Sequence, residues 1–391
     1  MTFGRVAMST GSPTGSPTCL LLSPLILIAL AAADDARGQD ANGATSAPAR
    51  LTVETLVSGL DTPWDLAWGP DGSIWVTERG GTISRVDPAS GEITRVGEID
   101  VAEISESGLL GMAFHPDFDS QPWVYAVHSY GNGSRIRNRL VRMRFDGNSL
   151  AEPEVLLDGI PGSRNHNGSR LAFGPDGFLY VTTGDATDPG SAQERGSLAG
   201  KVLRLTADGD PAPGNPFGSF VYSYGHRNPQ GIVFHPVTGV LYIAEHGPRD
   251  NDEVNLILSG GNYGWPAVHG YCDGDTSGEV EYCRENVVEE PLSAWTPTVG
   301  VSGIDVYEAD LIPGWKGSLL VTSLTGRTLF RLRLSGDGTE VVEREALFER
   351  DFGRLRDVLV GPGGEVYLAT SNRDGRGSPA SDDDRILRIT P

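Results

Sequence analysis

Residues 171–181 read LAFGPDGFLYV. Two short apolar runs, Leu171–Phe173 and Leu179–Val181, flank a Gly-Pro-Asp-Gly turn, and that pattern predicts a tight β-hairpin. The motif recurs along the chain. Leu66–Trp68 meets Ile74–Thr77 across a second Gly-Pro-Asp-Gly, and Val358–Val360 meets Val366–Leu368 across Gly-Pro-Gly-Gly. Met112–Phe114 with Val124–Ala126, and Ile232–Phe234 with Leu241–Ile243, repeat it with other turns; Ile304–Tyr307 with Leu319–Val321 is a looser version. With Trp75, Tyr125, Tyr180, Tyr242, Leu320 and Tyr367 as markers, the steps are 50, 55, 62, 78 and 47 residues.

A hairpin repeat of this length is the signature of a β-propeller. Further apolar runs at Ile83–Val86, Leu140–Phe145, Val202–Leu205, Leu329–Leu334 and Ile386–Ile389 flank the hairpins. The fold expected is therefore all-β: a six-bladed propeller with about four antiparallel strands per blade. Helical periodicity is absent almost everywhere, which argues against a doubly wound α/β fold. Asp252–Leu258 reads as a short turn or strand. No linker divides the repeats, so residues 51–391 read as one domain.

Composition agrees. The 391 residues hold 52 Gly and 26 Pro, which suits many short strands and tight turns. A formal charge of −21 argues against nucleic acid and anionic membrane surfaces as partners. At the N-terminus, Arg5 precedes an apolar run, Cys19–Ala33, that ends in small residues. Residues 1–33 thus read as a signal peptide, and residues 34–50 as a flexible linker; an uncleaved anchor is the alternative. Export to the periplasm or medium follows. Beyond Cys19 the chain has two cysteines, Cys272 and Cys283, in a Gly/Asp/Glu-rich loop, and a disulfide closing that loop is expected.

No G-x-G-x-x-G follows a strand, and no G-x-S-x-G elbow occurs. The residues that carry chemistry lie at hairpin ends. Arg227 and Asn228 precede the fourth hairpin, and His246-Gly247-Pro248 follows it. Arginine supplies a fixed cationic fork, and a Gly-Pro pair exposes main-chain oxygens of the kind hard cations take. His166 stands before the third hairpin and Asp185 after it, so both fall at one end of a blade. A carboxylate against an imidazole fixes its tautomer and raises its basicity, as a general base requires. Arg354 and Arg356 alternate before the sixth hairpin and suit a polycarboxylate or phosphate, with a solvated edge paired to Asp357 as the alternative. Glu106 precedes the second hairpin. All of these occupy one phase of the repeat, which in a propeller rings the axis at one end.

Together these motifs resemble the soluble quinoprotein sugar dehydrogenases, the glucose and aldose sugar dehydrogenases that use pyrroloquinoline quinone and calcium. The resemblance rests on Gly225-His-Arg-Asn-Pro-Gln-Gly231, Glu245-His-Gly-Pro248 with Asp252-Glu-Val-Asn255, and Gly260-Gly-Asn-Tyr-Gly-Trp-Pro266. Gly108-Leu-Leu-Gly111 and Arg354-Leu-Arg356 add to it, and it spans about Leu51 to Pro391. It implies a six-bladed propeller, a general base at His166 with Asp185 orienting it, and Arg227 at the reactive quinone carbonyl. It also implies Asn228 beside the cofactor, the Gly247 and Pro248 carbonyls on its calcium, and Arg354 and Arg356 on its carboxylates. Glu253, Tyr263 and Asp273 fall where the family can hold a second, structural calcium.

The chain departs from the family pattern at several positions. Glu106 stands where a Gln or similar polar group is usual, near the sugar. Thr325 stands where a lysine often reaches the quinone, with Arg327 the available substitute. His246 replaces a more neutral residue, and Trp295 reads equally as a stacking platform or as core. The resemblance implies oxidation of an aldose at C1 to a lactone, with a separate electron acceptor, no membrane span after processing, and a monomer or homodimer. Two other readings remain open. A calcium-dependent hydrolase or lactonase would need carboxylates and Asn around an axial metal. A non-catalytic extracellular binding propeller would need no His166–Asp185 pair.

Overall fold

The computed structural model describes residues 50–133 and 135–391. The leader and all of the linker except Arg50 lie outside the described residues. Within them the chain forms six four-stranded antiparallel sheets, each one blade. Blade 1 is Pro63–Trp68, Ile74–Glu78, Thr82–Val86 and Ile93–Glu98. Blades 2 to 5 begin with Leu109–Phe114, Gly168–Phe173, Pro229–Phe234 and Val301–Tyr307. Blade 6 contains Leu355–Val360, Val366–Thr370 and Ile386–Thr390. Its fourth, outer strand is Thr52–Val57, whose Thr52 pairs with Thr390. The two ends of the propeller domain thus close the ring against each other, a pairing that no local pattern announced.

The turns explain the hairpins. In the first, Gly69 N–H donates to Ser73 O at 2.8 Å, and Asp71 takes the Ser73 N–H at 3.1 Å and the Trp75 indole N–H at 3.1 Å. Gly72 closes the turn at φ 79°, a conformation that only glycine takes without strain. The buried aromatic markers then tie blade to blade. Tyr125 donates its hydroxyl to Ala207 O at 3.0 Å, and Tyr242 donates to Gly338 O at 2.6 Å. Each acceptor belongs to the turn region of the next blade.

Both faces of each sheet are covered by neighbouring blades, so the core is a ring of interblade clusters rather than one centre. Trp75, Val96, Met112 and Val141 fill the space between blades 1 and 2. Tyr242, Val254, Trp295, Ile304 and Phe330 fill that between blades 4 and 5. Trp295 is therefore a core residue, 5.1 Å from Phe330 between ring centroids, and not a stacking platform.

In the loops two expectations hold and one is corrected. The Cys272–Cys283 disulfide is formed. The loop it closes also holds a seven-residue helix, Glu279–Glu285, where the sequence predicted only loop. Its seven residues give too few turns for an amphipathic period to show. Asp252–Leu256 is a strand of blade 4.

The first strand of every blade lines the axis. In all six, its register with the second strand breaks near its N-terminal end, for example between Pro63 and Asp65 and between Leu355 and Asp357. The same break falls in blades 2, 3, 4 and 5. Such bulges bend a strand and re-aim its side chains, and they cluster beside sites. Just below them, Arg170 spans the axis. It ion-pairs with Asp65 of blade 1 and with Asp357 of blade 6 at 3.0 Å, and donates to Gln230 O of blade 4 at 2.7 Å. Asp357 is thus committed to Arg170 and not to Arg354 or Arg356.

Candidate active site

The N-terminal ends of the first strands and the C-terminal ends of the second strands meet at one end of the propeller. His166 sits on the turn leading into blade 3, at φ 60°. That left-handed backbone is unusual for a histidine and is held by two carboxylates. Glu106 accepts its N–H at 3.0 Å, and Asp185 meets its Nδ1 at 2.8 Å. Asp185 is fully buried, while the His166 side chain keeps 20% of its surface exposed. The second oxygen of Asp185 takes the Trp265 indole N–H at 2.9 Å, and its first also takes Thr187 N–H at 2.8 Å. With the carboxylate of Asp185 at Nδ1, Nε2 is the ring nitrogen not engaged by it.

Arg227 and Asn228 come from the start of blade 4. Glu245, at the end of that blade's second strand, accepts the main-chain N–H of Arg227 and that of Asn228, the latter at 3.3 Å. It also meets His226 Nδ1 at 2.9 Å, and His226 Nε2 meets Ser223 Oγ at 2.8 Å. The guanidinium of Arg227 lies 5.3 Å from the Trp265 ring centre and donates to His246 O at 3.1 Å. Burial draws its pKa below the ordinary arginine value. Asn228 is fully buried, its Oδ1 accepting Gly168 N–H at 3.0 Å and Gln230 Nε2 at 3.2 Å.

Arg354 and Arg356 divide their roles. Arg354 is spent on Asp374, through Nε at 2.9 Å and Nη2 at 2.7 Å. Arg356 lies over the Trp64 ring at 4.1 Å and donates to Gln230 Oε1 at 2.9 Å. It has no carboxylate partner among the described residues, and burial pulls it down to about 9. Four buried polar atoms here lack any partner: Arg227 Nε, Asn228 Nδ2, His246 Nε2 and Arg356 Nε. Three of these are donors, and buried donors left open call for an acceptor. These open donors suit an anion rich in carbonyl and carboxylate oxygens.

Glu106 faces the same space. Burial alone would raise its pKa, but the His166 N–H, His246 and Arg376 outweigh that and hold it below the usual carboxylate range. Its charge in turn acts on Arg227, His246 and Arg356. Gly247 N–H donates to Asp252 Oδ1 at 2.8 Å. A Cβ on Gly247 would run into the Asp250 and Asn251 carbonyl oxygens, so only glycine fits this loop. No donor among the described residues reaches the Gly247 or Pro248 carbonyls.

Of the remaining predicted residues, Glu253 and Tyr263 line a small cavity with Arg227, Gly247 and Pro248, whereas Arg327 and Asp273 stand apart from the group on exposed loops. Arg327 is exposed on a loop of blade 5, at φ 55°. Tyr263 uses its hydroxyl on main chain, donating to Leu256 O at 2.6 Å and accepting Leu258 N–H at 2.8 Å. Asp273 is exposed and takes its own turn's Asp275 N–H at 3.1 Å. Glu253 is raised to about 8 by burial and by the charge of Glu245. No cluster of three or more His, Cys, Asp or Glu suited to a metal occurs among the described residues. Any cation here would lean on main-chain oxygens.

Sequence reasoning missed Trp265, Glu245, Asp374 and Arg376. A signal existed for most of them. The rule that paired Asp185 with His166, that a second strand returns to the rim where the first began, also points to Glu245 and to residues 371–376.

The fold is a six-bladed propeller with incompletely partnered guanidinium groups and an imidazole–carboxylate pair at one end. Residues 60–387 match the family Glucose / Sorbosone dehydrogenase, and the chain belongs to that family. It is 32% identical to quinoprotein glucose dehydrogenase B of Acinetobacter calcoaceticus, over 94% of each chain. It is 30% identical to aldose sugar dehydrogenase YliI of Escherichia coli K12, over 88% of this chain and 94% of that one. Among solved structures it is similar to the PQQ-bound aldose sugar dehydrogenase of Streptomyces coelicolor. The identity there is 41%, the TM-score 0.76, and the coverage 88% of this chain and 99% of that one.

Proposed function

We propose that this protein oxidises aldoses at C1 to lactones, using pyrroloquinoline quinone (PQQ) with calcium. One observation carries the reading. Arg227 and Arg356 are guanidinium groups without a carboxylate partner among the described residues, and they converge from blades 4 and 6 on a His166–Asp185 pair from blade 3. A hydrolase built on axial carboxylates is disfavoured, because Asp65 and Asp357 are both bound to Arg170. A purely binding propeller leaves the imidazole–carboxylate pair without a purpose.

In this reading Arg356 and Arg227 hold the cofactor's oxygens, and the Gly247 and Pro248 carbonyls hold the calcium. When bound, the cofactor supplies a quinone carbonyl that accepts a hydride equivalent, with calcium as Lewis acid. His166 Nε2 takes the proton of the anomeric hydroxyl as C1 gives up its hydrogen with an electron pair. Asp185 holds the imidazole at the angle this needs and stabilises its protonated form. Arg227 offers a fixed positive charge where negative charge develops. The sugar thereby loses two electrons and two hydrogens and leaves as the lactone, and a separate acceptor reoxidises the protein. Export is part of the same reading, supported by the leader-like N-terminus and the Cys272–Cys283 disulfide.

The test is reconstitution. Cofactor-free protein is mixed with PQQ, with and without calcium, and given glucose and a redox dye, with the product followed by NMR. Dye reduction with gluconolactone formation is expected only with both additions. Failure to take up PQQ would refute the reading.

A further inference from the structure

Arg376 lies on the loop that follows the second strand of blade 6, and it binds across the molecule. Its Nη1 donates to Glu106 Oε1 at 2.8 Å, and its Nη2 reaches Asn165 Oδ1 at 3.2 Å and Ser105 Oγ at 3.3 Å. Glu106 belongs to the approach to blade 2 and Asn165 to the approach to blade 3. First strands neighbour one another around the ring in the order of blades 1 to 6 and back to 1. In a ring of six, blade 3 stands opposite blade 6, so a side chain joining their loops must pass over the axis.

Exposure says that this crossing is the outermost layer. The Arg376 side chain is 50% exposed and Glu106 15%, whereas Arg356 beneath them is 3% exposed. The crossing loop is anchored at its base: Asp374 grips Arg354 and takes the Arg376 N–H at 2.9 Å. Between these anchors Gly375, at φ 88°, faces open space. On the far side, the Glu106 oxygen that Arg376 does not hold receives the His166 N–H. The Arg376–Glu106 pair therefore ends directly on the backbone of the histidine.

We propose that Arg376 is a specificity-determining residue: it latches the 371–377 loop over the His166 end of the propeller and sets the size of saccharide that reaches His166. The inference rests on the sugar-oxidising reading. A monosaccharide fits beneath the closed loop, whereas a reducing disaccharide needs the latch undone to place its C1 at His166 Nε2. The latch is a half-exposed ion pair, so it is weak, screened by salt and able to open on the time scale of turnover.

The experiment compares the full-length protein with Arg376→Ser and Arg376→Lys. The ratio of kcat/KM for a reducing disaccharide to that for its monosaccharide is measured in the PQQ-loaded proteins at low and high salt. In Arg376→Ser the ratio rises by about fivefold, the scale set by losing one such pair. Lys keeps the charge but loses the fork that reaches both Glu106 and Asn165, and it gives a smaller rise. Salt raises the ratio in the wild type and leaves it flat in Arg376→Ser. A second readout needs no cofactor: amide hydrogen exchange at residues 105–107 and 165–167 speeds up in Arg376→Ser, with exchange in the blade strands unchanged. An unchanged ratio, or unchanged exchange at those loops, overturns the proposal. If the wild type oxidises neither sugar, the sugar-oxidising reading fails, and the exchange result alone decides the latch.

Discussion

Arg356 stacks its guanidinium on the indole of Trp64, 4.1 Å from the ring centre, and forms no ion pair with a carboxylate among the described residues. A buried cation left this way costs stability. Burial lowers its pKa from the ordinary arginine value to about 9. At about 1.4 kcal/mol per unit, that is a penalty on the order of a few kcal/mol, which an anionic ligand would offset.

It follows that Arg356→Met stabilises the empty protein. The flexible thioether fills much of the same space over Trp64 without a charge to desolvate. The cofactor-free variant is expected to unfold at the same or a higher urea concentration than wild type, while PQQ no longer binds measurably. A variant that loses stability and keeps its affinity for PQQ would show that Arg356 is structural.

His166 and Asp185 give the kinetic test. Replacing a general base costs roughly 10²–10⁴ in rate. His166→Ala is expected to lose at least the lower figure in kcat while binding PQQ as before, measured by fluorescence quenching. Asp185→Asn offers the imidazole a neutral partner, which no longer stabilises the protonated ring. It should lose kcat with less change in KM. Normal turnover in His166→Ala would end the assignment.

Much of this was legible in the chain because propeller geometry converts position within a repeat into position in space. Knowing the phase of each hairpin was enough to bring Glu106, His166, Arg227 and Arg356 to one rim. The missing pieces depend on which groups pair once the loops have met, which the phase of a repeat does not settle. Arg354 and Arg356 look like a matched pair in sequence, yet Arg354 finds Asp374 across 20 positions, a partner set by loop folding. Thr52–Val57 belongs to none of the hairpin repeats in sequence, and only ring closure shows that it completes blade 6. Trp295 is ambiguous by type; the cluster between blades 4 and 5 decides it.

The acid response of the fold should trace to His128. It is buried on blade 2, with only Ser129 O near its Nδ1 at 3.3 Å, and burial lowers its pKa to about 4 from 6.5. A base with a depressed folded pKa contributes stability in full above the unfolded value. That stability is lost as pH falls from about 6.5 toward 4, because the unfolded chain takes the proton first. Between pH 7 and pH 5 the loss from this group is about 2 kcal/mol. Urea unfolding of His128→Gln at the two pH values should show a slope smaller by that amount. An identical slope would mean that His128 titrates normally in the folded protein.

Gly247 isolates the cation. Its main-chain oxygen is one of the two proposed to hold calcium, and a Cβ added there would run into the Asp250 and Asn251 carbonyl oxygens. Alanine there must push the loop outward, and the Gly247 and Pro248 oxygens move with it. Because the loop is pinned by Asp252 to Gly247 N–H at 2.8 Å and to Val299 N–H at 2.8 Å, the shift stays local. A hard cation held by a few oxygens tolerates little displacement of them. Gly247→Ala should therefore raise the calcium concentration needed for half-maximal reconstitution by at least about tenfold, equivalent to roughly 1.4 kcal/mol of binding. PQQ affinity in the absence of calcium, set by Arg227 and Arg356, should change far less. An unaltered calcium requirement in a folded Gly247→Ala protein would place the cation somewhere other than this loop.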